Sequence, residues 1–195
     1  MTKTRLEAFS DGVLAIVLTI MVLELKVPHG DASLAALRPL LPVFLSYGLS
    51  FLYIGIYWNN HHHLLQAAKK VNGAVLWANL YLLFWLSLLP FVTGWLGETG
   101  VRPWPVFCYN LVLLMAGVAY FLLSRALVAH HGADSELARA VGARARADVK
   151  GLLSVVAYAA ALPLTFLTPW AGLALAVAVA LLWVVPDRRI ERNLG

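Results

Sequence analysis

The chain has 195 residues, of which 61% are hydrophobic and 13% charged, with a mean hydropathy of +0.77 and a formal net charge of +5. A soluble domain carries about a quarter charged residues, so this composition excludes a self-covering soluble fold and reads as an all-α integral membrane protein. Basic loops facing anionic lipid headgroups account for the positive charge without a nucleic-acid partner, and the single cysteine, Cys108, excludes an internal disulfide and a cysteine metal site.

The first apolar run predicts a span over residues 6–25. Glu7 and Asp11 interrupt its upstream end and no small-residue cleavage site follows, so it is not read as a signal peptide. At about 100° per residue, with Ile16 as zero, Phe9, Ile20, Leu23 and Val27 fall within about 40° of it, and Thr19 flanks the stripe at about 60°. Glu7 and Asp11 fall on the opposite side. The helix is thus expected to present a purely apolar face with an acidic spot behind it. A carboxylate at the edge of hydrocarbon requires a partner. Arg5, six residues before Asp11, reaches it only from a frayed start or from a neighbouring subunit. Glu24, near the other end, is read as a helix-end charge paired with Lys26 or Arg38; concentrating cations at a pore mouth is the alternative.

A second span is predicted over residues 37–61, ending in Trp58-Asn59-Asn60-His61-His62-His63. This cluster offers donors at the depth of Asp11. Trp58 shares a helical face with His62, and Asn59 with His63, at i, i+4 spacing. Three adjacent histidines on a helix point about 100° apart, so they do not converge on one metal ion; a polar network at the helix end is preferred over a metal site or a pH sensor.

Further spans are predicted over 73–96, 104–128, 149–167 and 170–185, six in all. Pro28, Pro103, Pro105 and Pro186 mark span ends, while Pro42, Pro90 and Pro163 predict local kinks that neighbouring helices can accommodate. Thr168-Pro169 predicts a tight hairpin between the fifth and sixth spans. Cys108, within an apolar run, is read as a small buried hydrophobe. Residues 129–150 are polar enough for a loop, with Glu136, Arg139 and Arg144 patterned as a short surface helix. Twelve of the fifteen Lys and Arg residues fall on the side of the two termini, which predicts cytoplasmic termini by the positive-inside rule. Trp77, Trp95, Trp104, Trp170 and Trp183 fall near span ends or midway, and some of them are assigned to the interfacial belt.

Arg5-x-x-x-Phe9-Ser10-Asp11, at the start of the first of several spans, resembles the first-helix signature of the transmembrane protein 175 family of potassium channels. The resemblance implies a cell-membrane (inner-membrane) subunit with six spans that assembles as a homotetramer, with the first helix lining a pore for potassium. Rings of Ile or Leu form the constriction in that family. By position after the motif these would be Ile16, Ile20 and Leu23, with Thr19 the polar group beside the path. The resemblance also ties Arg5, Phe9, Ser10 and Asp11 to a Trp and a His of the second helix, here Trp58 and one of His61, His62 and His63. An apolar ring supplies no ligands, so selectivity would rest on how cheaply an ion sheds water; no cofactor is called for. The alternative is a small secondary transporter or proton-coupled cation exchanger, which calls for an ionisable residue near the bilayer midplane, and none is placed there. No nucleophile motif, phosphate loop or HExxH supports an enzyme.

Overall fold

The computed structural model describes residues 2–28, 33–132, 135, 137–138 and 149–184. The described residues form helices, with no strand among them. They are α1 (Lys3–Leu23), a 3-10 segment (Leu34–Leu40) running into α2 (Leu41–Ala67), α3 (Gly73–Ser87), α4 (Leu89–Thr99), α5 (Pro103–His131), α6 (Val149–Leu167) and α7 (Pro169–Val184). Five stretches are long and apolar enough to cross a membrane: α1, 34–67, 73–99, α5 and α6; α7 is an apolar helix of 16 residues. The chain is a multi-pass membrane protein.

Local chemistry explains the boundaries. Thr2 caps α1 by accepting the Arg5 N–H, and Asn72 caps α3 by accepting the Val75 N–H at 3.0 Å. The third predicted span is two helices: Pro90, at the start of α4, has no N–H to continue the α3 ladder, and the chain breaks at Leu88. The second helix runs beyond the histidine cluster to Ala67, because Leu64 and Leu65 are buried on the same face as His61. Only Thr168 separates α6 from α7. The hairpin is tight enough that a Cβ on Gly172 would overlap the Thr165 hydroxyl. Gly97 plays the same part at the α2–α4 crossing, where a Cβ would stand 2.9 Å from Val43 Cα. Cys108 is free and half-buried, not fully enclosed.

Apart from the α3–α4 break at Leu88, helix ends gather on two sides. Lys3 Nζ donates to Gln66 O, and the Lys69 N–H donates to His131 Nε2 at 2.9 Å, bringing the start of α1 beside the ends of α2 and α5. On the far side Lys26 pairs with Glu98 at 2.5 Å, an exposed pair that raises the lysine's pKa through the hydrogen bond and the carboxylate charge. Glu24 lies beside Gly94 instead of pairing with Lys26 or Arg38. Helix α1 packs mainly on α2, α3 and α4, whereas α6 packs on α5 and α7, at the other flank. The polar segment with Glu136, Arg139, Arg144 and Arg146, and the tail with Val185, Pro186, Arg188, Arg189 and Arg192, lie outside the described residues.

Candidate functional site: the first helix and its brace

Helix α1 has two unlike faces. Leu6, Ser10, Leu14, Val17 and Met21, spaced three to four apart, are buried against the neighbouring helices. Turned away from them, Phe9, Ile16, Ile20 and Leu23 are uncovered, with Ile16 59%, Ile20 44% and Leu23 79% exposed. At about 1.5 Å rise per residue, Ile16, Ile20 and Leu23 form levels about 6 and 4.5 Å apart along the helix. The Thr19 hydroxyl beside them donates to Ile16 O at 2.9 Å, which leaves its oxygen lone pairs outward.

Of the four motif residues, Ser10 and Asp11 contact the rest of the subunit. Trp58 Nε1 donates to Asp11 Oδ1 at 3.0 Å, and the His62 ring stacks on Trp58 with centroids 5.9 Å apart. Glu7 pairs with Lys3 at 3.6 Å. Helix α1 is regular from Lys3, so Arg5 is not frayed back towards Asp11; it is exposed and, among the described residues, makes no side-chain pair within the subunit. Phe9 stands on the uncovered face with the Ile16 stripe.

His61, not His62 or His63, enters the interior. Its Nε2 lies 2.7 Å from Asn79 Oδ1, Asn79 Nδ2 donates to Ser10 Oγ at 3.0 Å, and Ser10 Oγ donates to Leu6 O at 2.8 Å. All three side chains are buried. The chain of donors has one consistent direction: Ser10 spends its proton on Leu6 O, so it accepts from the Asn79 amide, and the Asn79 carbonyl then accepts from His61 Nε2–H. Three helices, α2, α3 and α1, are thereby pinned at one level. Asn79 is the residue that sequence reading missed. Its signal was available, as a lone amide within the apolar run of α3 demands a partner in a membrane. His63 contributes differently: its Nδ1 is buried without a hydrogen-bond partner. Among the described residues, no group of three His, Cys, Asp or Glu side chains is placed to hold a metal ion.

Residues 5–90 match the family model described as endosomal/lysosomal potassium channel TMEM175. Over 194 residues, covering 100% of this chain and 98% of the relative, the sequence is 50% identical to a potassium channel of Chryseobacterium sp. (strain P1-3). The chain belongs to the TMEM175 family. A solved member, the crystal structure of a lysosomal potassium-selective channel TMEM175 homolog from Chamaesiphon minutus, superposes with a TM-score of 0.78 at 27% identity, covering 94% of this chain and 96% of that one. Human TMEM175, named an endosomal/lysosomal proton channel, is 35% identical over 101 residues, which are 46% of this chain and 20% of the human protein. The match to the family model holds α1, α2, α3 and the break before α4, and therefore the whole brace of Ser10, Asp11, Trp58, His61 and Asn79.

Proposed function

We propose that this protein is a subunit of a potassium-permeable cation channel in the cell membrane, with both termini cytoplasmic, in which α1 from each of several copies, four by analogy with the family, surrounds the pore. The observation that carries the reading is the division of α1 into a face locked onto α2–α4 and an uncovered stripe of Ile16, Ile20 and Leu23. Full-length identity of 50% to a relative named as a potassium channel supports it. Around a symmetry axis the stripe becomes stacked apolar rings. Such rings control ions by dewetting and by the cost of stripping water. Potassium holds its water less tightly than sodium, so the rings favour potassium modestly.

Thr19 supplies the one hydroxyl next to this path, and Ile16 is assigned the narrowest level. Asp11, Trp58, His61 and Asn79 do not touch ions in this reading. They hold the angle of α1 and so the width of the rings. No Asp, Glu, Lys or Arg occurs within 39–68, 71–97 or 103–124, which disfavours a carrier built around a midplane charge.

The test is electrical recording from purified protein in planar bilayers under a potassium–sodium gradient. A passive current reversing towards the potassium potential is expected. No current, or a current dependent on counter-transport, overturns the proposal.

A further inference from the structure

Between α2, α5, α6 and α7 lies a cleft of about 280 Å³ that has no part in the proposed pore. Tyr53, Tyr57, Gly117, Phe121, Leu152 and Tyr158 are among its lining residues. Gly117 forms part of its wall: a Cβ there would reach ordinary contact with Tyr57 Oη at 3.8 Å and Val155 Cγ2 at 3.9 Å, and a longer side chain would extend into the space. The hydroxyls at its floor are occupied by the protein itself, since Tyr158 donates to Tyr53, and Tyr53 donates to Ala176 O. The cleft therefore offers little to water, which needs two or more polar partners to stay in a cavity.

Its rim lies on the flank away from α1. Phe121 is 52% exposed and Leu152 66% exposed, both within membrane-spanning helices, so the space communicates sideways with hydrocarbon. It is about twice the volume of an apolar cavity of about 150 Å³ that admits benzene, enough for a length of acyl chain. At the end that lies on the side of the Lys3–Gln66 contact, Trp183 and Gly151 line the cleft, and Lys150, the residue before Gly151, holds its Nζ 5.9 Å above the Trp183 ring and 3.4 Å from Leu182 O. Lysine near a span end carries its ammonium to headgroup level, and an indole at that level belongs to the interfacial belt.

We propose that this cleft is a phospholipid site: one acyl chain enters between Phe121 and Leu152 and lies against Gly117 and Tyr57, and an anionic headgroup of the same lipid rests by Lys150 and Trp183. The charge complementarity selects an anionic lipid over a zwitterionic one, as for basic residues at helix ends facing anionic headgroups. The site stands independently of what the subunit conducts.

The test uses the full chain, reconstituted with equal phosphatidylglycerol and phosphatidylcholine and then stripped stepwise with detergent, with retained lipid counted by native mass spectrometry. The wild type is expected to retain phosphatidylglycerol preferentially, about one per subunit. Gly117→Leu, which fills the cleft, is expected to lower that retention at least about tenfold. Lys150→Gln is expected to retain lipid but lose the preference for phosphatidylglycerol. Equal retention by wild type and Gly117→Leu, or an unchanged preference in Lys150→Gln, overturns the proposal. Should Gly117→Leu fail to fold, a cryo-EM map of the wild type with chain-brominated phosphatidylglycerol decides: bromine density between Phe121 and Leu152 supports the site, and an unlabelled cleft overturns it.

Discussion

Replacing Asn79 with Leu tests whether the buried chain His61–Asn79–Ser10 holds the first helix in place. The change roughly conserves volume and removes two hydrogen bonds, of 2.7 and 3.0 Å. Ser10 keeps its bond to Leu6 O, so α1 itself stays intact, but the His61 Nε2–H is left buried without an acceptor. Interhelical hydrogen bonds in membranes contribute about 0.6–1.7 kcal/mol, and an orphaned buried donor costs about 1–3 kcal/mol. Asn79→Leu is therefore expected to destabilise the subunit by about 2–3 kcal/mol. For a chain of this size that corresponds to a fall in melting temperature of roughly 4–12 °C, read by thermal unfolding in detergent monitored by size-exclusion chromatography. The sharper arm is the double variant. His61→Leu with Asn79→Leu removes both polar partners at once, and apolar replacement of a buried pair is close to neutral. It is expected to melt above the Asn79→Leu single variant. Losses that simply add in the double variant, or a single variant that melts with the wild type, would refute the account of the brace.

Other expectations follow from the same geometry. Ile16→Asn places an amide in the uncovered stripe and is expected to leave the melting temperature nearly unchanged. Lowering the ion's barrier by about 1.4 kcal/mol would raise unitary conductance about tenfold, with potassium preference eroded in bi-ionic reversal potentials; unchanged selectivity would remove Ile16 as the narrowest level. Trp58→Phe deletes the 3.0 Å bond to Asp11 at a half-exposed position and is expected to cost only about 0.5–1.5 kcal/mol, less than Asn79→Leu in the same melting assay. Gly172→Ala drives a methyl into Thr165 and towards Val106 at 3.1 Å; overpacking of this kind costs about 1–3 kcal/mol, and Gly172→Ala with Thr165→Ala should recover most of the loss.

How far the chain could be read before its fold was known divides along the range of the physics. The two faces of α1 are a matter of 100° steps within one helix, so periodicity alone separates Ile16, Ile20 and Leu23 from Ser10, Leu14 and Val17. The break at Leu88 follows from Pro90 and its missing N–H, also a local cause, although whether a proline bends or divides a span depends on what surrounds it. The histidines show where such reasoning stops. Adjacent residues on a helix point in different directions, so one of the three had to face inward, but only the position of α3 selects His61. Its acceptor, Asn79, is 18 residues away, and no spacing rule links residues on different helices. The same holds for Asp11. Its need for a donor is local electrostatics, and Trp58 stood in the cluster proposed to supply one, but the 47-residue separation of the pair is bridged only by packing. Sidedness is different again. Contacts such as Lys3–Gln66 gather one set of helix ends together, but which side of the membrane they occupy rests on charge bias, and six of the twelve basic residues behind that bias lie outside the described residues. Periodicity therefore separates the two faces of α1 and the family resemblance makes one of them the candidate pore face, while the brace proposed to hold its angle depends on tertiary contact. That asymmetry makes the brace the more discriminating test: a stripe of apolar residues facing lipid needs no partner at a fixed angle, whereas rings a few ångströms wide do. If loosening Asn79 changed stability without altering conduction, the stripe would be a lipid face and not a pore.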